Sequence, residues 1–260
     1  MTRHLLRSAS SPPAASPAVA ELRRQIERLE GSAQVRPPLP FGIAAVDRHL
    51  PGGGLARGAL HEVVEAGPAA EFAGSATLFA AGIAARLKGP VLWCLTRRDL
   101  FAPGLALAGL APGRVIYVEG GRDRDVLPLV EEGLRERGLA AVVGEVTRLS
   151  LLASRRLQLA AEASGVTALL LRRWWTVAEK DVTALPSAAV TRWRIAPAAS
   201  EPAPAPGLGR VQWQVDLMRC RGGAPCSWIL EACDETGRLA VPASLARRPD
   251  SAALRRAVTR

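Results

Sequence analysis

The sequence predicts an α/β fold in which a mainly parallel central sheet carries helices on both faces and ends in antiparallel C-terminal strands. Two observations point there. From Leu60 to Leu171 short apolar runs alternate with helical patterns, which implies βαβ units, and after Ala188 only strand patterns follow. A third sets the scale: 260 residues, 48% of them apolar, suffice for one large domain with tails.

The strand patterns of the alternating part run Leu60 to Ala66, Pro90 to Leu95, Arg114 to Val118, Leu139 to Val146 and Val166 to Leu171. Helices are expected between them at Ala76 to Leu87, around Phe101 to Ala108, at Asp125 to Arg137 and at Leu149 to Ser164. In the third of these, Val126, Leu127, Val130 and Leu134 make one apolar face. The last three strand patterns, Ala189 to Ile195, Val211 to Leu217 and Cys226 to Ala232, are separated only by loops, as antiparallel additions to the same sheet would be.

The ends read differently. Residues 1–18 are rich in Ser, Pro and Ala and are expected to be a disordered leader. An N-terminal helix and linker follow at 19–36, with Val19, Leu22, Ile26 and Leu29 in a narrow helical stripe that Gly31 ends. One short charged helix cannot bury itself, so Leu22, Ile26 and Leu29 are expected to dock on the body of the protein or on another chain. The domain proper spans 37–246, and the tail 247–260 carries Arg247, Arg248, Arg255, Arg256 and Arg260.

The net charge is +10, with 34 basic and 24 acidic side chains. Residues 1–146 hold 17 basic against 15 acidic, and residues 147–260 hold 17 against 9, so the excess lies in the second half. Such an excess suits acidic partners, most simply nucleic acid, although an arginine bias of this kind also arises from a GC-rich genome. Cys220, Cys226 and Cys233 match no zinc spacing and have no histidine nearby, so neither a metal nor a disulfide framework is expected. No secretory signal or membrane span is evident, and the expected setting is the cytoplasm.

Phe41 to Val64 combines Asp47 and Leu50 in a short helix, the turn Gly52-Gly53-Gly54, Gly58, and a strand carrying Glu62. This stretch resembles the entry to the ATPase core of the RecA family, and the order of later elements resembles that fold as far as about Ala240. The resemblance implies a phosphate-binding loop after the first strand, of the form G-x-x-x-x-G-K-[ST]. Here Gly67 and Gly74 are separated by six residues, and Ser75 and Ala76 stand at the Lys and Thr positions. At the magnesium-holding acidic position stands Gly144, with Glu145 one residue on and expected on the other side of the strand. Thr96-Arg97-Arg98 replaces the catalytic glutamate. The expectation is a RecA-like core with a degenerate P-loop, no cofactor and no enzymatic activity.

Trp93 to Leu105, followed by Gly109-Leu110 and Arg114-Val115-Ile116, closely resembles the ImuA family. That resemblance implies a non-catalytic accessory factor in SOS-induced translesion synthesis and mutagenesis. The partners it implies are an ImuB-like Y-family polymerase relative and an error-prone C-family replicative polymerase, with RecA and single-stranded DNA as further contacts. Two other functions are compatible with the residues: a DNA-dependent ATPase or recombinase mediator with an atypical phosphate loop, and a SulA-type inhibitor of cell division. In the RecA frame, the second DNA loop falls at Arg172, Arg173, Trp174 and Trp175, followed by Arg192, Trp193 and Arg194. Guanidiniums beside indoles offer charge for phosphates and flat faces for bases. The same tryptophans also suit strand ends that plug a core. Arg155, Arg156, Arg219 and Arg221 read either as a solvated face or as contacts.

Overall fold

The computed structural model describes residues 36–175, 185–200 and 210–242; the expected leader, the N-terminal helix stripe of Leu22, Ile26 and Leu29 and the basic tail lie outside them. In chain order the elements are α1 (Ala44–Asp47), β1 (Leu60–Glu65), α2 (Ala69–Ala85), β2 (Val91–Leu95), α3 (Ala102–Leu107), β3 (Val115–Glu119), α4 (Asp123–Arg135), β4 (Ala141–Val146), α5 (Leu151–Ser164), β5 (Thr167–Arg172), β6 (Thr191–Ala198), β7 (Gln212–Cys220) and β8 (Cys226–Glu231). Among the described residues the eight strands form one sheet in the order β3-β2-β4-β5-β1-β6-β7-β8.

The first six strands pair in parallel, and β7 and β8 add antiparallel. Of the three late strands expected to be antiparallel, β6 is therefore different: it lies parallel to β1, with His61 opposite Thr191 and Val63 opposite Trp193. Strand β6 thus starts at the same end of the sheet as β1, and β7 and β8 each reverse direction relative to the strand before. A larger difference concerns α2, which starts at Ala69, seven residues before the expected Ala76. Alanines and Glu71 carry high helix propensity, and Pro68 suits the entry to a helix.

The two faces of the sheet are buried by different layers. One cluster, containing Val63, Phe79, Val143, Leu171 and Trp193, packs beneath α2; the other, containing Leu60, Val130, Val142, Leu157 and Leu170, packs beneath α4 and α5. Alternate residues of each central strand feed the two clusters, so strands such as β4 and β5 are buried along their whole length. Helix α5 is bounded as its sequence dictates. Ser150 accepts a hydrogen bond from the Ala153 amide at 3.1 Å at one end, and Gly165 takes φ +77° at the other.

The glycine turn before β1 needs its glycines for two reasons. Gly52 and Gly53 take φ of +74° and +80°, and a Cβ on Gly54 would lie 2.7 Å from the backbone of Leu39 and Pro40. Asp47 fixes the same entry by accepting hydrogen bonds from the amides of Phe41 at 2.7 Å and Gly42 at 2.9 Å.

Trp193 is fully buried among Phe41, Phe79 and Trp228, with ring centroids 5.4, 5.6 and 6.4 Å away. Its indole N–H donates to Thr191 Oγ1 at 2.8 Å, and the Thr191 hydroxyl lies 2.7 Å from His61 Nδ1. His61 Nε2 faces the Ala56 carbonyl at 2.8 Å, so it carries the proton and Nδ1 accepts from Thr191. Burial lowers the His61 pKa to about 4, despite the opposing Ala56 hydrogen bond.

Two outcomes are expected. Trp193→Ala opens a cavity at the centre of the aromatic cluster and should cost about 3–5 kcal/mol of unfolding free energy, measured by urea denaturation. A loss below about 1 kcal/mol would contradict a core role. Because the folded pKa of His61 lies below its unfolded value, the folded chain binds fewer protons. Its contribution is present above about pH 6.5 and falls by about 3 kcal/mol as pH drops to 4. The stability difference between wild type and His61→Gln should therefore narrow over that interval.

Candidate functional site

The end of the sheet at which a RecA-like protein would hold a phosphate is occupied by the protein's own arginines. Arg172 and Arg173 are consecutive at the end of β5, so their side chains go to opposite faces of the sheet. Each meets a carboxylate from the buried strand β1.

On the α2 face, Arg173 lies between two glutamates. Its Nη1 is 2.9 Å from Glu65 Oε1 and 3.0 Å from Thr77 Oγ1 on α2, and its Nη2 is 2.8 Å from Glu145 Oε1 on β4. Its Nε donates to Glu145 Oε2 at 3.1 Å, and the Trp93 indole donates to Glu145 Oε1 at 2.9 Å. All three charged side chains are at most 4% exposed. On the α5 face, Arg172 Nη1 reaches Glu62 Oε2 at 3.0 Å, and Arg192 reaches the same carboxylate from β6 at 3.3 Å. Three guanidiniums thus face three carboxylates across the two sides of one sheet.

Burial sets the electrostatics. It pushes the Glu65 carboxyl up, against the pull of Arg173, and it pulls the Arg172 guanidinium down, against the pull of Glu62. Burial also works against the charge on Arg173, yet Glu145 and Glu65 together outweigh it and hold that guanidinium above its ordinary value. Arg173 is the cation that permits both glutamates to stay inside.

The residues do not fit a bound nucleotide phosphate or its magnesium. Only Ala66, Gly67 and Pro68 connect β1 to α2, and the Phe72 ring lies where a Cβ on Gly67 would be, 2.5 Å away. Gly74 and Ser75 are not in a loop at all but in the second turn of α2, where the Ser75 hydroxyl donates to the Phe72 carbonyl at 3.0 Å. The Ala69 amide at the start of α2, one of the donors that would face an anion, instead donates to the Trp174 carbonyl at 2.6 Å. The Trp174 amide in turn donates to Glu65 Oε2 at 2.7 Å. The chain leaving β5 is laid across the helix start.

The side assigned to the acidic position is also reversed. Glu145 faces α2 and Arg173, whereas Gly144 faces the other layer, where a Cβ would lie 2.5 Å from Val130 Cγ2 and 2.9 Å from Leu170 Cδ2. No carboxylate fits at 144, because that position packs against apolar side chains of α4 and β5.

The residues expected at a single-stranded DNA surface separate into two groups. Arg172, Arg173 and Arg192 are buried and ion-paired, and Trp193 is in the core, so a role that needs them at the surface is not what this arrangement offers. Trp174 and Trp175 are half-buried, with the Arg97 guanidinium 4.3 Å above the Trp175 ring. Arg194 is partly exposed and holds Asp216 through two hydrogen bonds of 2.8 and 3.0 Å. Reasoning from sequence missed Glu62, Glu65, Glu145 and Thr77 as the partners. The signal was present: three glutamates in strands that read as buried demand three cations nearby.

The fold and this closed site together define a class: a RecA-like protein whose nucleotide position is filled from within. The crystal structure of the RadB recombinase is similar at a TM-score of 0.53, with 18% sequence identity, covering 78% of this chain and 99% of that one. No family model matches the sequence. Protein ImuA of Caulobacter vibrioides, in strains NA1000 / CB15N and ATCC 19089 / CIP 103742 / CB 15, is 41% identical over 210 residues, 78% of this chain and 86% of the relative. The chain belongs to the ImuA family. No helix among the described residues is long and apolar enough to cross a membrane.

Arg173→Met keeps the bulk and removes the cation, and should cost about 3–5 kcal/mol at pH 7 because two buried carboxylates lose their partner. The burial that already pushes the Glu65 carboxyl up then acts without the opposing pull of Arg173, so the folded variant takes up more protons than the unfolded chain, and its deficit should shrink from pH 7 to pH 5. Urea midpoints at the two pH values test this; a deficit that stays constant would show that Arg173 does not neutralise the pair.

Proposed function

We infer that this chain is a non-catalytic accessory factor of SOS-induced translesion synthesis and mutagenesis, working through contacts with the mutagenic polymerase machinery in the cytoplasm. One observation carries the non-catalytic part: the guanidinium of Arg173 and the backbone of Trp174 occupy the surroundings of Glu65 and the start of α2. Phosphoryl transfer depends on positioning and charge neutralisation of the phosphates, and here the charges are already neutralised by one another. Membership of the ImuA family supports the mutagenesis setting. The partners of this reading are an ImuB-like Y-family polymerase relative and an error-prone C-family polymerase, with RecA and single-stranded DNA as further contacts.

The enzyme alternative, a DNA-dependent ATPase, requires space at the β1–α2 connection that Phe72 and Trp174 take up. The division-inhibitor alternative has no support from the relatives, which are ImuA proteins. Magnesium ATP with single-stranded DNA should release no phosphate above background and should leave the melting temperature unchanged. Turnover that is lost on Gly74 or Ser75 substitution would establish the enzyme reading instead. Pull-down of the full chain from DNA-damaged cells of its own species should recover the two polymerases, and their absence would overturn the contact reading.

A further inference from the structure

The α5 face of the sheet carries a groove of about 890 Å³ that shares only Arg192 with the closed site. One wall is α5, the other is the segment before β6 together with the end of β7. On α5 the inward residues Ser154, Leu157, Gln158 and Ala161 are buried, while Leu152 and Leu159 point out at 70% and 64% exposure. Between those leucines stands Arg155, which forms no ion pair among the described residues. On the far wall Leu185 is 47% exposed, and Arg219 and Arg221 follow.

The two far arginines are anchored rather than spent. Arg219 donates to the Ser187 carbonyl, and Arg221 donates to the Ala188 carbonyl at 3.0 Å, each using one of five guanidinium donors. Among the described residues Glu162 is the one carboxylate lining the groove, and it stays 4.0 Å from Arg221. Two exposed leucines, Leu159 and Leu185, beside Arg155, Arg219 and Arg221 have the composition of a protein interface, in which apolar anchors are surrounded by arginine. Among the described residues no aromatic lines the groove, so bases of a single strand would find no stacking face on them.

We propose that this groove receives an acidic amphipathic helix of a partner protein, with its apolar stripe on Leu159 and Leu185 and its carboxylates on Arg155, Arg219 and Arg221. The charge excess of the groove selects the acidic face, and Leu159 on one wall and Leu185 on the other give the apolar stripe of a helix its contacts. The inference rests on the reading that the protein works by contact, and it names the surface and the chemistry of that contact.

The test places the photo-cross-linking residue p-benzoylphenylalanine at Leu159 of the full chain. The control carries it at Leu107, which is 74% exposed on α3 in the α2 layer. Both proteins are irradiated in DNA-damaged cells of the native species, and the attached peptides are identified by mass spectrometry. The expected capture at Leu159 alone is a segment with Asp or Glu interleaved among apolar residues at helical spacing. That segment, synthesised with a fluorophore, should bind the wild type, and its affinity should weaken at least about tenfold for Arg155→Glu and for Leu159→Asp. Cross-links no stronger than at Leu107, cross-links only to nucleic acid or to this chain itself, or a peptide whose binding neither variant alters, would overturn the proposal. Unchanged co-recovery of the polymerases by Leu159→Asp would sink the groove and leave the contact reading standing; their absence with wild type would sink the contact reading itself.

Discussion

A guanidinium held between two carboxylates at the end of a parallel sheet sets the terms for the rest of this molecule. Glu65 and Glu145 sit on two fully buried strands of the sheet, β1 and β4, on either side of β5, and each would be untenable there without a cation. Arg173 supplies it, and in doing so ties β1, β4, β5 and α2 to one point. The same logic on the opposite face joins β1, β5 and β6 through Glu62, Arg172 and Arg192. Two adjacent arginines at the end of one strand thereby lock both layers of the fold.

That lock changes what a RecA-like frame can do. In such a frame the start of the first long helix and the ends of the neighbouring strands leave donors and acceptors available to an external ligand. Here the donors and acceptors meet one another: the Ala69 amide takes the Trp174 carbonyl, the Trp174 amide takes Glu65, and Thr77 and Glu145 take Arg173. The ligand position has become part of the core. Away from that position, the open groove beside α5 presents side chains that the core does not use, Arg155, Leu159 and Leu185 among them.

Much of the architecture was legible because periodicity and burial obey the same geometry. The alternating runs located the strands and helices within a few residues, and the Asp47 entry with its three glycines marked the approach to β1. The start of α2 was not legible in the same way. Reading Gly67 through Ser75 as a loop followed from a motif spacing, whereas Ala69, Ala70, Glu71 and Ala73 are helix formers with nothing to hold them open. The arginines after β5 were misplaced for a related reason. A basic and aromatic run suggests a surface, but consecutive residues of a strand go to opposite faces, and both faces of a central strand are interior.

The sequence by itself determined the class of fold, the order of its elements, the loss of the lysine and hydroxyl of a phosphate loop, and the resemblance to the ImuA family, since each depends on local pattern. Only the tertiary structure decided where the charges go. Whether Arg172, Arg173 and Arg192 meet phosphates or glutamates depends on which strands neighbour β1, and that pairing brings together residues more than a hundred positions apart. A charge in a sequence has no environment until the sheet is assembled, and here the assembled sheet turns three arginines inward while leaving Arg155, Arg219 and Arg221 facing out.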